Sequence, residues 1–237
     1  MTKRGMSAIR IYAHRGASAE LPENTMAAFR RAVELGVDAL ELDVHATRDG
    51  VLVVSHDPDG RRMAGVAARF ADVTYDQARA WDVGGGERVP RFEDVVTELA
   101  LPLNVDLKHD TADATVALLR RLGAEERVCL ASFQVSTMRR VRALGYRGPT
   151  ALARAEVVSA LAWPAMLRRG RFRCRAQRAQ LPLSLARPWV IARMKALGLA
   201  VDFWTVDDPE LARRLVALGA DGIMTNDPRR IVPAVRG

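Results

Sequence analysis

Lysine, histidine and cysteine are all scarce in this chain of 237 residues. The two cysteines, Cys129 and Cys174, show no CxxC spacing and have no metal-ligand neighbours, which excludes a zinc or CxxC redox motif. Both sit in apolar, strand-like stretches, where a buried free thiol is the expectation. No apolar run approaches the roughly 20 residues of a membrane span. The opening "MTKRGMSAIRIYAHRG" carries charge but no apolar segment followed by a small-residue cleavage site. A cytoplasmic protein with no stable membrane insertion is expected. No GxGxxG opens the first helical stretch, which counts against a dinucleotide-binding fold. With only Lys3, Lys108 and Lys195 among 36 basic residues, the net charge of +8 is almost wholly arginine. That bias suits a GC-rich coding sequence better than a nucleic-acid groove. The densest cluster, "RRGRFRCRAQR" (168–178), reads as a solvated helix end and flanking loop, so no nucleic-acid partner is expected.

What is present is a regular alternation. Strand-like runs fall at 9–14, 38–45, 101–108, 128–133, 149–153, 175–181, 199–206 and 220–226. Helical patterns fill 25–35, 111–122, 135–144, 155–168, 188–197, 208–218 and 227–235. Several helices close on "ELG", "RLG" or "ALG", with Gly36, Gly123, Gly145, Gly198 and Gly219 at the position after the last turn. Eight strands alternating with helices point to an α/β protein, a (β/α)8 TIM barrel. The stretch 46–100 is too long for one connection and contains its own apolar run, VLVVSH (51–56), and a helix near 91–100. It reads as a small insertion after strand 2, within one barrel domain spanning 1–237.

Parallel barrel strands bring their C-terminal ends to one rim. Strand 1 delivers His14 and Arg15 there. Strand 2 delivers Glu41 and Asp43, which at i, i+2 share a face about 6–7 Å apart. Strand 3 delivers Asp106 and Lys108. Three carboxylates in one water-poor mouth repel one another unless a pKa rises or a cation binds. Oxygen ligands of this kind suit Mg²⁺ or Ca²⁺. Arg15 and Lys108 cannot ligate such an ion, but they suit a phosphate held against it. His56 ends the VLVVSH run; with His14 it can form a general acid and base pair. His45 reads as rim packing or as support behind the site residues, and His109 as exposed. Trp204 is either core or the wall of a small-polyol pocket. The alternative for Glu41-x-Asp43 alone is a salt-bridged barrel mouth.

The pattern "HRG…ENT…AF…A…G.DALELDV..T.DG.LVV.HD" resembles the glycerophosphodiester phosphodiesterase family. "RVPRFEDVV" (88–96), "ASF" (131–133), "AQLP" (179–182) and "FWTVDDPELARRLVALGADGIMTNDP" (203–228) add to the likeness over nearly the whole chain. The resemblance implies a TIM barrel with an insertion after strand 2. It implies a metal-dependent enzyme that splits a glycerophosphodiester into sn-glycerol 3-phosphate and an alcohol. His14 and His56 then match the acid–base pair, and Glu41 and Asp43 match metal ligands, with Asp106 third. Arg15 and Lys108 match phosphate contacts, and Trp204 an aromatic wall near the glycerol. Two positions depart: Asp106 in "NVDLK" stands where the family usually has glutamate, and Thr225-Asn226-Asp227-Pro228 replaces "TD-R-P". Asn226 retains the ability to cap the last helix. Lysophospholipase D activity, or a non-catalytic barrel that binds anions or nucleic acid, are the alternatives.

Overall fold

A computed structural model of the chain describes residues 9–108, 111–162 and 175–237. The first strand, β1 (Arg10–His14), pairs in parallel with β2 (Ala39–Ala46) on one side and β10 (Gly222–Thr225) on the other. Outward from β2 lie β6 (Leu103–Leu107) and β7 (Val128–Ala131). Outward from β10 lie β9 (Ala200–Trp204) and β8 (Arg178–Pro182). Thr150 and Ala151 close the ring, Thr150 bridging to Leu130 of β7 and Ala151 to Arg178 of β8, both in parallel. Ala151 N donates to Leu130 O at 2.9 Å and Leu152 N to Arg178 O at 3.0 Å. The result is the eight-stranded parallel barrel expected from the alternation.

Helices coat the outside. They are α1 (Met26–Glu34), α4 (Phe92–Glu98), α5 (Ala112–Arg121), α6 (Val135–Ala143), α7 (Arg154–Ala162), α8 (Pro188–Ala196), α9 (Pro209–Ala217) and α10 (Pro228–Arg236). Their apolar stripes meet outward-facing strand residues in one core: Phe29 and Ala32 of α1 and Phe92, Val95 and Val96 of α4 join Leu40, Leu42 and Val44 of β2. The alternation along β2 then turns Glu41, Asp43 and His45 to the other face, and all three are buried. Local chemistry sets the ends. Thr25 caps α1 by accepting from Ala28 N, and the five glycines named above carry φ between 63° and 90°.

The insertion begins with β3 (Leu52–Val54), which runs antiparallel to β2 with His45 opposite Val53. A small sheet of β4 (Asp59–Gly60) and β5 (Val66–Arg69) follows, with short helices α2 (Arg61–Ala64) and α3 (Tyr75–Ala78). Val53, Phe70, Ala78, Trp81, Val83 and Val89 form its own core. Phe70 stacks on His45 at 5.9 Å, which places His45 in packing as expected.

Three expectations shift. The sixth barrel strand starts at Arg178 rather than 175; Gln177 stands just ahead of it, its N donating to Thr150 O and its Oε1 accepting from Thr150 N. Arg178, counted within the solvated arginine cluster, is instead paired with Asp202 inside the barrel. Asp227, not Asn226, caps α10, its side chain accepting from Arg230 N. His109, Cys174 and residues 163–168 of the expected helix lie outside the described residues. Cys129 is a buried free thiol, and burial pushes its pKa up to about 12.

Candidate active site

The site grows from the register of three strands. His14 lies beside Glu41, Glu41 beside Asn104, and Asp43 beside Asp106, so these side chains share the barrel's inner face. Asn104 accepts from Gln180 Nε2 across the barrel at 2.5 Å, making the floor. Above it opens a cleft of about 480 Å³ lined by His14, Arg15, Glu41, Asp43, His56, Asp106, Lys108 and Trp204, together with Phe133, Val157, Val158 and Leu185. All eight residues singled out in the sequence therefore meet in one place.

The HRG turn explains why Arg15 and Gly16 follow His14. Both adopt left-handed backbone, at φ 59° and 83°, folding the chain back over β1. A Cβ at Gly16 would collide with Ala28 at 2.7 Å, so α1 packs on the turn only because residue 16 is glycine. The turn aims Arg15 inward: its NH1 lies 3.1 Å from Glu23 Oε1 and its Nε 3.4 Å from Asp43 Oδ2. Its backbone N donates to Glu41 Oε2 at 3.2 Å.

The electrostatics separate the three carboxylates. Burial, with Asp43 and Asp106 close by, pushes the Glu41 pKa well above the carboxylate range. Burial also raises Asp106, against the pull of Lys108. Asp43 is buried too, yet Lys108 and Arg15 outweigh that and hold its pKa down. The Lys108 Nζ sits 2.9 Å from Asp43 Oδ1 and 2.5 Å from Asp106 Oδ2. This ammonium occupies the space between two of the expected ligands. Accordingly, no group of three His, Cys, Asp or Glu side chains is poised to hold a metal ion among the described residues. The donor chemistry nevertheless fits a hard cation. Among the described residues, Glu41 has no lysine or arginine side chain against its oxygens, and Asn24, which donates to Asp43 Oδ2 at 3.1 Å, keeps its own Oδ1 buried without a partner.

The two histidines are held differently. His14 Nδ1 lies 2.7 Å from Asn226 Oδ1, and its Nε2 3.8 Å from Glu41 Oε2. Burial holds the His14 pKa below the ordinary value. His56 Nδ1 lies 2.9 Å from Asp57 Oδ1, and its carbonyl meets His45 Nε2 at 3.2 Å. Arg62 ties this corner down, its Nε 2.6 Å from Asp57 Oδ2 and its NH2 2.6 Å from Glu23 Oε1. Thus Arg15, Glu23, Arg62, Asp57 and His56 form one chain of charge-assisted contacts across the mouth. Sequence reasoning missed Glu23, Arg62, Asp207 and the inward role of Asn226. Glu23, Asp207 and Asn226 were marked only by their inclusion in quoted motifs, and Arg62 by none.

Comparison with known proteins agrees with this geometry. The glycerophosphoryl diester phosphodiesterase family matches residues 14–230. A probable glycerophosphodiester phosphodiesterase 2 from Mycobacterium tuberculosis is 36% identical, over 95% of this chain and 90% of its own length. A glycerophosphodiester phosphodiesterase from Agrobacterium tumefaciens shares the fold with a TM-score of 0.84 at 24% identity, covering 97% of this chain and 100% of its own. An Oleispira antarctica phosphodiesterase in complex with the product sn-glycerol-3-phosphate shares it with a TM-score of 0.82 at 21% identity, covering 96% and 97%. A barrel of this topology, a motif-bearing cleft at the strand ends and a family match over nearly the whole chain converge: the chain belongs to the glycerophosphoryl diester phosphodiesterase family and is an enzyme of that class.

Proposed function

We propose that the cleft hydrolyses small glycerophosphodiesters to sn-glycerol 3-phosphate and an alcohol, with a divalent cation and a histidine pair. The observation that carries this is the convergence of His14, Arg15, Glu41, Asp43, His56, Asp106, Lys108 and Trp204 on one cleft. The product bound by the Oleispira relative supports the same substrate class. Glu41 and Asp43, with Asp106 third, would hold the cation, Mg²⁺ or Ca²⁺, with Lys108 turned from Asp43 and Asp106 toward the phosphate. The bound ion would supply Lewis-acid stabilisation of charge on the phosphoryl oxygens.

The remaining work falls to the chain itself. Arg15, already fixed by Glu23, offers its guanidinium to the phosphate as a fork, and Lys108 adds a point charge. A new P–O bond forms from the attacking oxygen, which loses a proton to one histidine. The P–O bond to the alcohol breaks, and the other histidine delivers a proton to that oxygen. His14 at the end of β1 and His56 on the insertion reach the cleft from different elements, which lets them serve two different oxygens. Trp204, with Phe133 edge-on at 5.9 Å, walls the pocket. Changing either His14 or His56 to Ala should lower kcat about 10²–10⁴-fold while substrate and cation binding are nearly retained. Near-normal kcat in His56→Ala would overturn the paired mechanism.

A second reading, lysophospholipase D activity, draws on one observation. Phe133 and Val158, both lining the cleft, are 57% and 59% exposed and could pack an acyl chain. Comparing kcat/KM for glycerophosphocholine and lysophosphatidylcholine separates the two, and the small diester should be preferred.

A further inference from the structure

We propose that Asp207 and Asn226 are positioning residues that fix His14 in the tautomer with its proton on Nδ1, so that a bare Nε2 faces the cleft. The inference rests on the reading of His14 as a proton-transfer group and extends it to residues outside the cleft lining. Asp207 follows β9, and Asn226 follows β10. Asp207 Oδ1 accepts from Asn226 N at 2.7 Å and from Thr225 Oγ1 at 2.9 Å. The Thr225 oxygen in turn accepts from Asp227 N at 3.0 Å, so its one proton is free for Asp207. Asp207 Oδ2 lies 2.8 Å from Asn226 Nδ2.

A carboxylate only accepts, so the amide of Asn226 can sit one way round: NH₂ toward Asp207, oxygen toward His14. That oxygen is 2.7 Å from His14 Nδ1 and 3.1 Å from Ser18 Oγ. An amide oxygen has no proton to give. His14 Nδ1 must therefore donate, and in the neutral ring Nε2 is left with its lone pair, 3.8 Å from Glu41 Oε2. A plain structural staple between the two loops would be served by either orientation of the amide; a base needs this one.

Asp207→Asn tests the distinction at nearly constant shape. Asn226 N still requires an oxygen at the first position, so the new NH₂ would face Asn226 and force its amide to turn over. The Asn226 NH₂ would then donate to His14 Nδ1 and move the ring proton to Nε2. The measurement is a long-range ¹H–¹⁵N correlation on the full chain with labelled histidine at pH 8, assigned with His14→Ala, beside kcat and KM for glycerophosphocholine. The wild type should show the Nδ1–H form and Asp207→Asn the Nε2–H form, with kcat down about 10²–10⁴-fold and KM little changed. Asn226→Leu, which leaves Asp207 in place, should lose the pure Nδ1–H signature. An Nε2–H form in the wild type, or an unchanged tautomer in folded Asp207→Asn, overturns the inference. A switched tautomer with undiminished kcat would support the positioning and overturn the proposed role of His14.

Discussion

At the scale of single residues, Glu41 concentrates the tension of the site. It is 6% exposed and crowded by two other carboxylates, with a raised pKa. A carboxylate whose folded pKa lies above its ordinary value of about 4.5 binds more protons folded than unfolded. Its contribution to stability therefore falls as pH rises from that value through the folded one. In the metal-free protein, Glu41→Gln should raise stability at pH 8 by on the order of 1–3 kcal/mol and lose that gain near pH 4. The same variant should weaken divalent-cation affinity in calorimetry. A gain of equal size at both pH values, with metal affinity intact, would mean the side chain is structural. The motif residues were legible because their types are restricted: a histidine, an arginine and paired carboxylates at strand ends have few roles in a barrel. Asn226 was not. By residue type it reads as a helix cap, and only its neighbours in space decide otherwise, because Asp207 and His14 claim its side chain while Asp227 takes the cap.

At the scale of elements, β8 and β9 are joined inside the barrel by a buried ion pair. Arg178 Nε and NH2 lie 2.6 and 2.5 Å from the two oxygens of Asp202, which is fully buried. The guanidinium sits over the Tyr12 ring, 5.6 Å from its centre. Gly222 of β10 leaves the room: a Cβ there would collide with the Asp202 carboxylate and the Tyr12 ring. Burial raises the Asp202 pKa even with Arg178 beside it. Arg178→Met should cost about 3–5 kcal/mol in urea unfolding, since it strands a buried charge. The double change Arg178→Met with Asp202→Leu should recover most of that loss. A double variant as unstable as the single one would contradict the pairing argument. The strands and helices themselves were legible from alternation and from the glycines that end helices. The strand expected at 149–153 was legible too, at Thr150 and Ala151; less legible were its short extent and the start of β8, which long-range contacts of Gln177 define.

At the scale of the whole molecule, the barrel keeps two separate interiors. Outward strand faces build an apolar core with the helices, and inward faces carry charge and amides up to the mouth. The insertion packs its own small core and presents His56 to that mouth, tied down by Arg62. Among the described residues no helix is long and apolar enough to cross a membrane. The architecture thus assembles a charged cleft from strand ends far apart in sequence, and the proposed function requires a divalent cation bound there. The most direct test is release of glycerol 3-phosphate from glycerophosphocholine by metal-stripped protein, with Mg²⁺ or Ca²⁺ added and then with EDTA. Turnover should depend on the added ion, stop with EDTA and return when the ion is restored; turnover indifferent to EDTA, or none with either ion, would rule that requirement out.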